Sequence, residues 1–346
     1  MASYRMPAEW EPHAATWIAW PHHESDWPGK FAPIRWVYAE IVRVLHAYER
    51  VEILCHDDAV LTEAQATLGA HHCDPSGYRL HLVPYDRGWL RDSMPTMVHD
   101  EHGRPVLANW RFNAWAKYDN FAADAQVGQA VASITRHPRI EPLRPDGGGR
   151  VVLEGGAIET NGAGLLLVTE ECLLSPVQAR NVEMTRAAYE QIFQEILGVR
   201  ETIWLGEGCV GDDTHGHVDD IARFVTADTV VLAYEADPSD DNHQRSADNV
   251  RRLQGFGGGR LRVITLPYPR AVMMDGQRLP ASYANFYIAN GVVIVPTFND
   301  PSDRLALNTL AECFPRREVV GIHAVDLVWG LGTLHCLTQQ EPLPSR

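Results

Sequence analysis

The sequence predicts an α/β fold built from a repeated ββαβ unit, and three observations carry that prediction. Pairs of short apolar runs are joined by polar turns, and each pair is followed by a helical pattern and then by another apolar run. The turns recur at a near-constant step: Asn161 lies 59 residues after His102, Ala227 lies 66 after Asn161, and Asn290 lies 63 after Ala227. The two ends of the chain each carry part of a unit, so that a fifth is complete only if they meet.

In chain order, Ile34, Val37, Tyr38, Ile41 and Leu45 recur at helical spacing, and the strand Val51-Glu-Ile-Leu-Cys55 follows. A second helix is predicted near Ala59 to Leu68, then the extended run Leu80 to Tyr85 and the polar segment Asp86 to Asp92. Hairpins are predicted for Met97-Val98 with Val106-Leu107, Val151 to Glu154 with Leu165 to Val168, and Ile221 to Val225 with Val230 to Tyr234. The last, Phe286 to Ile288 with Val292 to Val295, has Asn290-Gly291 at its turn, a pair suited to the left-handed backbone of a type I′ turn. Helices are expected at Gln126 to Thr135, Val182 to Leu197, His243 to Leu253 and Arg304 to Phe314, and a closing strand near Thr333 to Leu337. A ring closed by both termini makes residues 1–346 one domain; an open α/β sheet carrying several hairpins is the alternative.

The 346 residues include 45% hydrophobic types, enough for a sizeable core, which excludes a disordered or fibrous chain. With 30 Lys+Arg against 45 Asp+Glu the net charge is −15, which disfavours nucleic acid and anionic membranes as partners. Six scattered cysteines form no C-x-x-C pair, and read mostly as reduced, buried thiols. The start, Met1-Ala-Ser-Tyr-Arg-Met-Pro7, has no apolar secretory core, and no run approaches the ~20 residues of a membrane span, so a cytoplasmic location is expected. Oligomeric state is left open.

Candidate chemistry falls at similar phases of successive units: Asp92, Glu154 and His217 stand 10, 7 and 10 residues before their turns. Read as a strand, the segment around His217 places His215, His217 and Asp219 on one face. That pattern suits either a metal site or an acid/base histidine beside a carboxylate; no second ligand cluster appears, so metal is the minor reading. Near the carboxyl end, Gly330 and Gly332 let backbone approach closely, and Cys336 sits beside Thr338, Gln339 and Gln340. Cys55 and Cys172 are read as inert thiols in apolar strands. Gly147-Gly-Gly149 leads into a strand and is read as a turn rather than a phosphate loop. The tryptophans at 10, 17, 20, 27 and 36 are read mostly as core.

Met6-Pro-Ala-Glu-Trp-Glu-Pro-His13, Trp17-Ile-Ala-Trp-Pro21, Trp89-Leu-Arg-Asp92, Leu153-Glu-Gly-Gly156, Gly216-His-Val-Asp219 and Leu334-His-Cys-Leu-Thr-Gln-Gln340 occur in this order along almost the whole chain. As a set they resemble the agmatine deiminase family, which also contains bacterial peptidylarginine deiminases. The resemblance implies the pentein fold, a five-bladed α/β propeller. It also implies Cys336 as nucleophile, His217 as acid/base, Asp92 and Asp219 as guanidinium-binding carboxylates, Glu154 as a further active-site carboxylate and Trp89 as an aromatic against the substrate. Met94, Leu334 and Asp220 depart from the family pattern without removing a catalytic group. The expected activity is hydrolysis of a small cationic guanidine, agmatine first, with peptidyl or free arginine and a non-catalytic binding role as alternatives. Such hydrolysis involves neither redox chemistry nor a stabilised carbanion, so no cofactor and no metal is expected.

Overall fold

The computed structural model describes residues 4–345; Met1 to Ser3 of the amino-terminal stretch, and Arg346, lie outside the described residues. The fold is α/β, with five sheets of one plan, each joining an antiparallel strand pair to a parallel neighbour. The first contains Tyr4–Arg5, Thr96–Asp100, Pro105–Ala108 and Arg139–Ile140. The second has Glu159–Thr160, Leu165–Thr169 and Glu201–Leu205; the third has Ala222–Thr226, Thr229–Tyr234 and Arg262–Pro267. The fourth has Tyr287–Ile288, Val292–Thr297 and Glu318–His323. In the fifth, Gln339–Pro342 pairs antiparallel with His13–Ala19, Gln339 opposite Trp17, so the two ends of the chain share one sheet with Arg50–Cys55 and Tyr78–Leu82.

Each parallel step crosses through a helix, as parallel pairing requires. Phe31–Leu45 buries Ile34, Tyr38, Ile41 and Leu45 as its period predicts, and Pro33 is tolerated because it sits in the first turn. Asp57 caps Asp58–Ala70 by accepting the Val60 N–H at 2.8 Å. Val127–Thr135, Arg186–Ile192, Asp241–Gly255 and Ser302–Cys313 supply the other crossings. No helix among the described residues is long and apolar enough to cross a membrane.

Three expectations are corrected. Val151 to Glu154 is not a hairpin arm; Leu165–Thr169 pairs instead with Glu159–Thr160, which leaves Glu154 on a turn. Thr333 to Leu337 is not the closing strand, because Leu334–Leu337 forms a helical turn and the strand begins at Gln339. Asn290-Gly291 is not a type I′ turn, since neither residue has positive φ. Tertiary contacts decide that turn: the Asn290 side chain accepts from His13 N and donates to His13 O, and a Cβ at Gly291 would lie 2.4 Å from the Tyr48 ring. The early tryptophans are mostly core, as expected: Trp17, Trp20 and Trp27 are buried, and Trp36 is exposed.

One recurrent detail positions the site. The short helical turns Leu90–Ser93, Gly155–Ala157, Val218–Asp220 and Leu334–Leu337 each end just before the first strand of a sheet, and Asn285 stands in the corresponding turn before Tyr287. These turns, rather than the strands, carry the candidate residues.

Candidate active site

Asp92, Glu154, His217, Asp219 and Cys336 are brought together, all buried. His217 Nδ1 lies 3.8 Å from Asp92 Oδ2 and 4.0 Å from Asp219 Oδ1, while its Nε2 lies 3.6 Å from Glu154 Oε2. Cys336 Sγ is 3.7 Å from Asp219 Oδ2. Asp92 and Cys336 face a cavity of about 360 Å³, whose walls include Trp89 and Trp115. His217, Glu154 and Asp219 stand behind them.

The local sequence explains the convergence. In Glu154-Gly-Gly156, a Cβ at Gly155 would lie 2.2 Å from Arg91 O, and one at Gly156 2.5 Å from His217 Nδ1. Only glycines let that turn pack on the other two. The same lack of side chain admits Trp89, whose ring would be 2.7 Å from a Cβ at Gly332. Gly156 N–H and Trp115 Nε1–H donate to the two oxygens of Asp92 at 3.0 and 2.9 Å, fixing its plane. The Asp212 carboxylate accepts from the backbone N–H groups of Gly216 and His217, at 2.7 and 3.0 Å.

That last contact overturns the strand reading. His215 has φ 63°, and residues 218–220 form a helical turn, so alternation fails; the His215 ring meets Ser175 Oγ at 3.0 Å instead of sharing a face with His217 and Asp219. Cys172 is corrected too. It lies in the helical turn Glu170–Leu174, and its thiol belongs with Glu154 and His217 in a group of ligand-type atoms lying within 4.8 Å of one another. Asp219, Asp220 and Cys336 form a second such group.

Sequence reasoning missed Trp115 and Asn285. Trp115 sits among three successive residues in the left-handed region, Ala114 to Ala116, a strained backbone that periodicity cannot reveal. Asn285 Nδ2 donates to Cys336 Sγ at 3.2 Å and to Asp220 Oδ1 at 3.0 Å, while Oδ1 accepts from Thr333 Oγ1 and His335 N. Its place one turn-unit before Tyr287, matching Asp92 before Thr96, is the signal that could have found it.

Charge at the site is unevenly satisfied. Glu154 Oε2, both His217 ring nitrogens and Asp219 Oδ1 are buried without a hydrogen-bond partner. Burial, reinforced by Asp219 and Glu154, raises the Asp92 carboxyl to about 6. Burial also opposes ionisation of Glu154, but the Arg180 guanidinium, 3.0 Å away, and His217 hold it down at about 2. His217 is pushed well above the ordinary histidine value: burial resists the charge, and Asp92 together with contacts to Cys172 and Glu154 overcomes it. Burial and the carboxylates of Asp219, Asp220 and Asp92 push the Cys336 thiol well above its ordinary value.

A buried thiol, an imidazole and several carboxylates meeting on the turns of an α/β fold form a set equipped for nucleophilic attack on a cationic group. The chain belongs to the Porphyromonas-type peptidyl-arginine deiminase family, whose model matches residues 5–342. It is 34% identical to an agmatine deiminase of Pseudomonas aeruginosa (strain LESB58), over 99% of this chain and 96% of the relative, and 34% identical to one of Stutzerimonas stutzeri (strain A1501) at the same coverage. The solved agmatine deiminase of Enterococcus faecalis superposes with a TM-score of 0.89 at 29% identity, covering 99% of this chain and 97% of that one.

Proposed function

We propose that this chain is an agmatine deiminase, hydrolysing a guanidinium to a urea-type product and ammonia through a thiol adduct on Cys336. One observation carries the reading: the carboxylate oxygens Glu154 Oε2 and Asp219 Oδ1 lie buried without a hydrogen-bond partner at the site. Such a set is costly unless a buried cation with several N–H donors completes it. A planar guanidinium is that cation.

Asp92 and Asp219 orient the guanidinium through N–H···O bonds and keep positive charge on its carbon. The entering cation also favours the Cys336 thiolate, which in its absence the surrounding carboxylates disfavour. Sulfur attacks the carbon, and His217, held protonated, gives its proton to the departing ammonia. Neutral His217 then takes a proton from water; the oxygen adds to the thiouronium carbon, the C–S bond breaks as the remaining hydroxyl proton passes to solvent, and the thiolate returns. Glu154 holds His217, and Trp89 lies against the substrate. For agmatine the products are N-carbamoylputrescine and ammonia.

The five sheets of one plan, the shared sheet of the two chain ends and the likeness to solved deiminases support a closed five-bladed pentein propeller in one domain. The composition supports a cytoplasmic enzyme.

Arg87 separates agmatine from free arginine. Among the described residues it is the one basic side chain lining the cavity, and it is engaged by Asp26 at 3.2 Å, Asn120 at 2.9 Å and the Tyr118 ring. No cation is left there for an α-carboxylate. Peptidyl arginine is the second reading, favoured by the family description. A panel of agmatine, arginine and a blocked arginine peptide, followed by ammonia release with and without a strong chelator, tests both. Turnover of agmatine unaffected by the chelator is expected; turnover of the peptide alone sinks the agmatine assignment.

A further inference from the structure

Directly beneath the site lies a second set of buried charges that the mechanism above does not use. Glu9, from the amino-terminal Glu-Trp-Glu-Pro stretch, accepts four hydrogen bonds. Oε1 takes them from Arg223 Nη2 and the Ile288 N–H, both at 2.8 Å; Oε2 takes them from His335 Nε2 at 2.8 Å and Arg91 Nη2 at 3.2 Å. Arg91 also donates to Gln339 Oε1 at 2.6 Å and Gln340 Oε1 at 2.8 Å, and Arg223 to Glu159 Oε2 at 2.9 Å. The other ring nitrogen of His335, Nδ1, meets Asp219 Oδ2 at 2.7 Å. With a carboxylate on each side, the ring satisfies both only as a donor from both nitrogens. The set therefore ends on an active-site carboxylate, one of whose oxygens is tied and the other presented to the site.

We propose that Glu9 and His335 are positioning residues for Asp219, forming a buried Glu9–His335–Asp219 chain, braced by Arg91 and Arg223, that aims Asp219 Oδ1 at the substrate cation. This rests on the deiminase reading given above. Two adjacent aspartates supply an internal control. Asp219 and Asp220 are equally buried, yet Asp220, which lacks the imidazole, is pushed well above the ordinary carboxylate value by burial and by Asp219. Asp219 stays below that value: burial opposes its charge, and the bond from His335 together with the charges of His335, His217 and Arg223 outweighs it. The groups facing Asp219 are His335, His217 and Cys336, with Arg223, Asp220 and Asp92 beyond them.

The test measures kcat, KM and the pH profile of ammonia release, with whichever guanidine the wild-type chain turns over, for Glu9→Gln, Glu9→Asp, His335→Asn, Asp219→Asn and the His335/Asp219 double variant. A wild type inert toward every guanidine overturns the deiminase reading itself. With an active wild type, Glu9→Gln and His335→Asn are expected to lose about tenfold or more in kcat/KM. Their acid limb should move to higher pH, because Asp219 then takes up a proton sooner, and Glu9→Asp should recover part of the loss. In the Asp219→Asn background, His335→Asn should cost about threefold or less, since its target is gone. An undiminished cost in that background, or an unmoved acid limb in Glu9→Gln, overturns the proposal. Should His335→Asn not fold, the two Glu9 variants decide it alone.

Discussion

The active site and the buried charged set beneath it treat charge in opposite ways. Below, Glu9, Arg91, Arg223, Glu159 and His335 are paired with one another and with backbone groups. Above, Glu154, His217 and Asp219 keep buried atoms that have no hydrogen-bond partner. A protein pays heavily for unpaired buried charge, so the difference marks where the fold ends and the substrate begins. The lower set secures structure; the upper one awaits a ligand.

The sharpest way to break this comparison is to remove one group from each set. His217→Gln should lower kcat/KM by about 10³-fold or more while costing less in urea unfolding than a variant of the lower set, because its nitrogens face Asp92 and Glu154 at 3.8 and 3.6 Å without a hydrogen bond. Arg223→Met should show its largest effect in stability. It strands Glu9 and Glu159 without their guanidinium and should cost about 3–5 kcal/mol in urea unfolding. Equal stability losses in the two variants would erase the distinction.

A smaller effect sharpens it through pH. Asp92 has its carboxyl raised to about 6 in the folded protein, above its unfolded value, so ionised Asp92 weakens the fold. That penalty is full above pH 6 and vanishes as pH falls below about 4. The unfolding free energy of wild type relative to Asp92→Asn should therefore rise by up to about 3 kcal/mol between those limits, read from urea titrations at each pH. A difference that does not change with pH would mean that neither burial nor the neighbouring carboxylates raise the Asp92 carboxyl.

The same division explains what the sequence made legible. The helix Phe31–Leu45, the parallel strands and the repeat were readable because burial imposes a period on side chains. The site residues were readable only through ordered motifs, and those motifs hold both sets at once. Asp92 and Arg91 are neighbours in sequence, as are Cys336 and His335, yet one of each pair lines the cavity and the other joins the set beneath it. Motif membership alone could not separate them. The strand assigned around His217 failed for a related reason: Asp212 and Gly216 fold that segment into turns, which no alternation of residue types announces. Asn285 and Trp115 reach the site through a turn equivalent to Asp92's and through left-handed backbone, neither of which leaves a periodic trace.

The central claim is a covalent bond to Cys336, and its most direct test is mass spectrometry of protein acid-quenched during agmatine turnover, wild type beside His217→Asn. The account predicts a peptide containing Cys336 heavier by agmatine less ammonia, more abundant when His217 cannot activate water. Steady ammonia release with no adduct on that peptide in either protein, or an adduct on another cysteine, would contradict it.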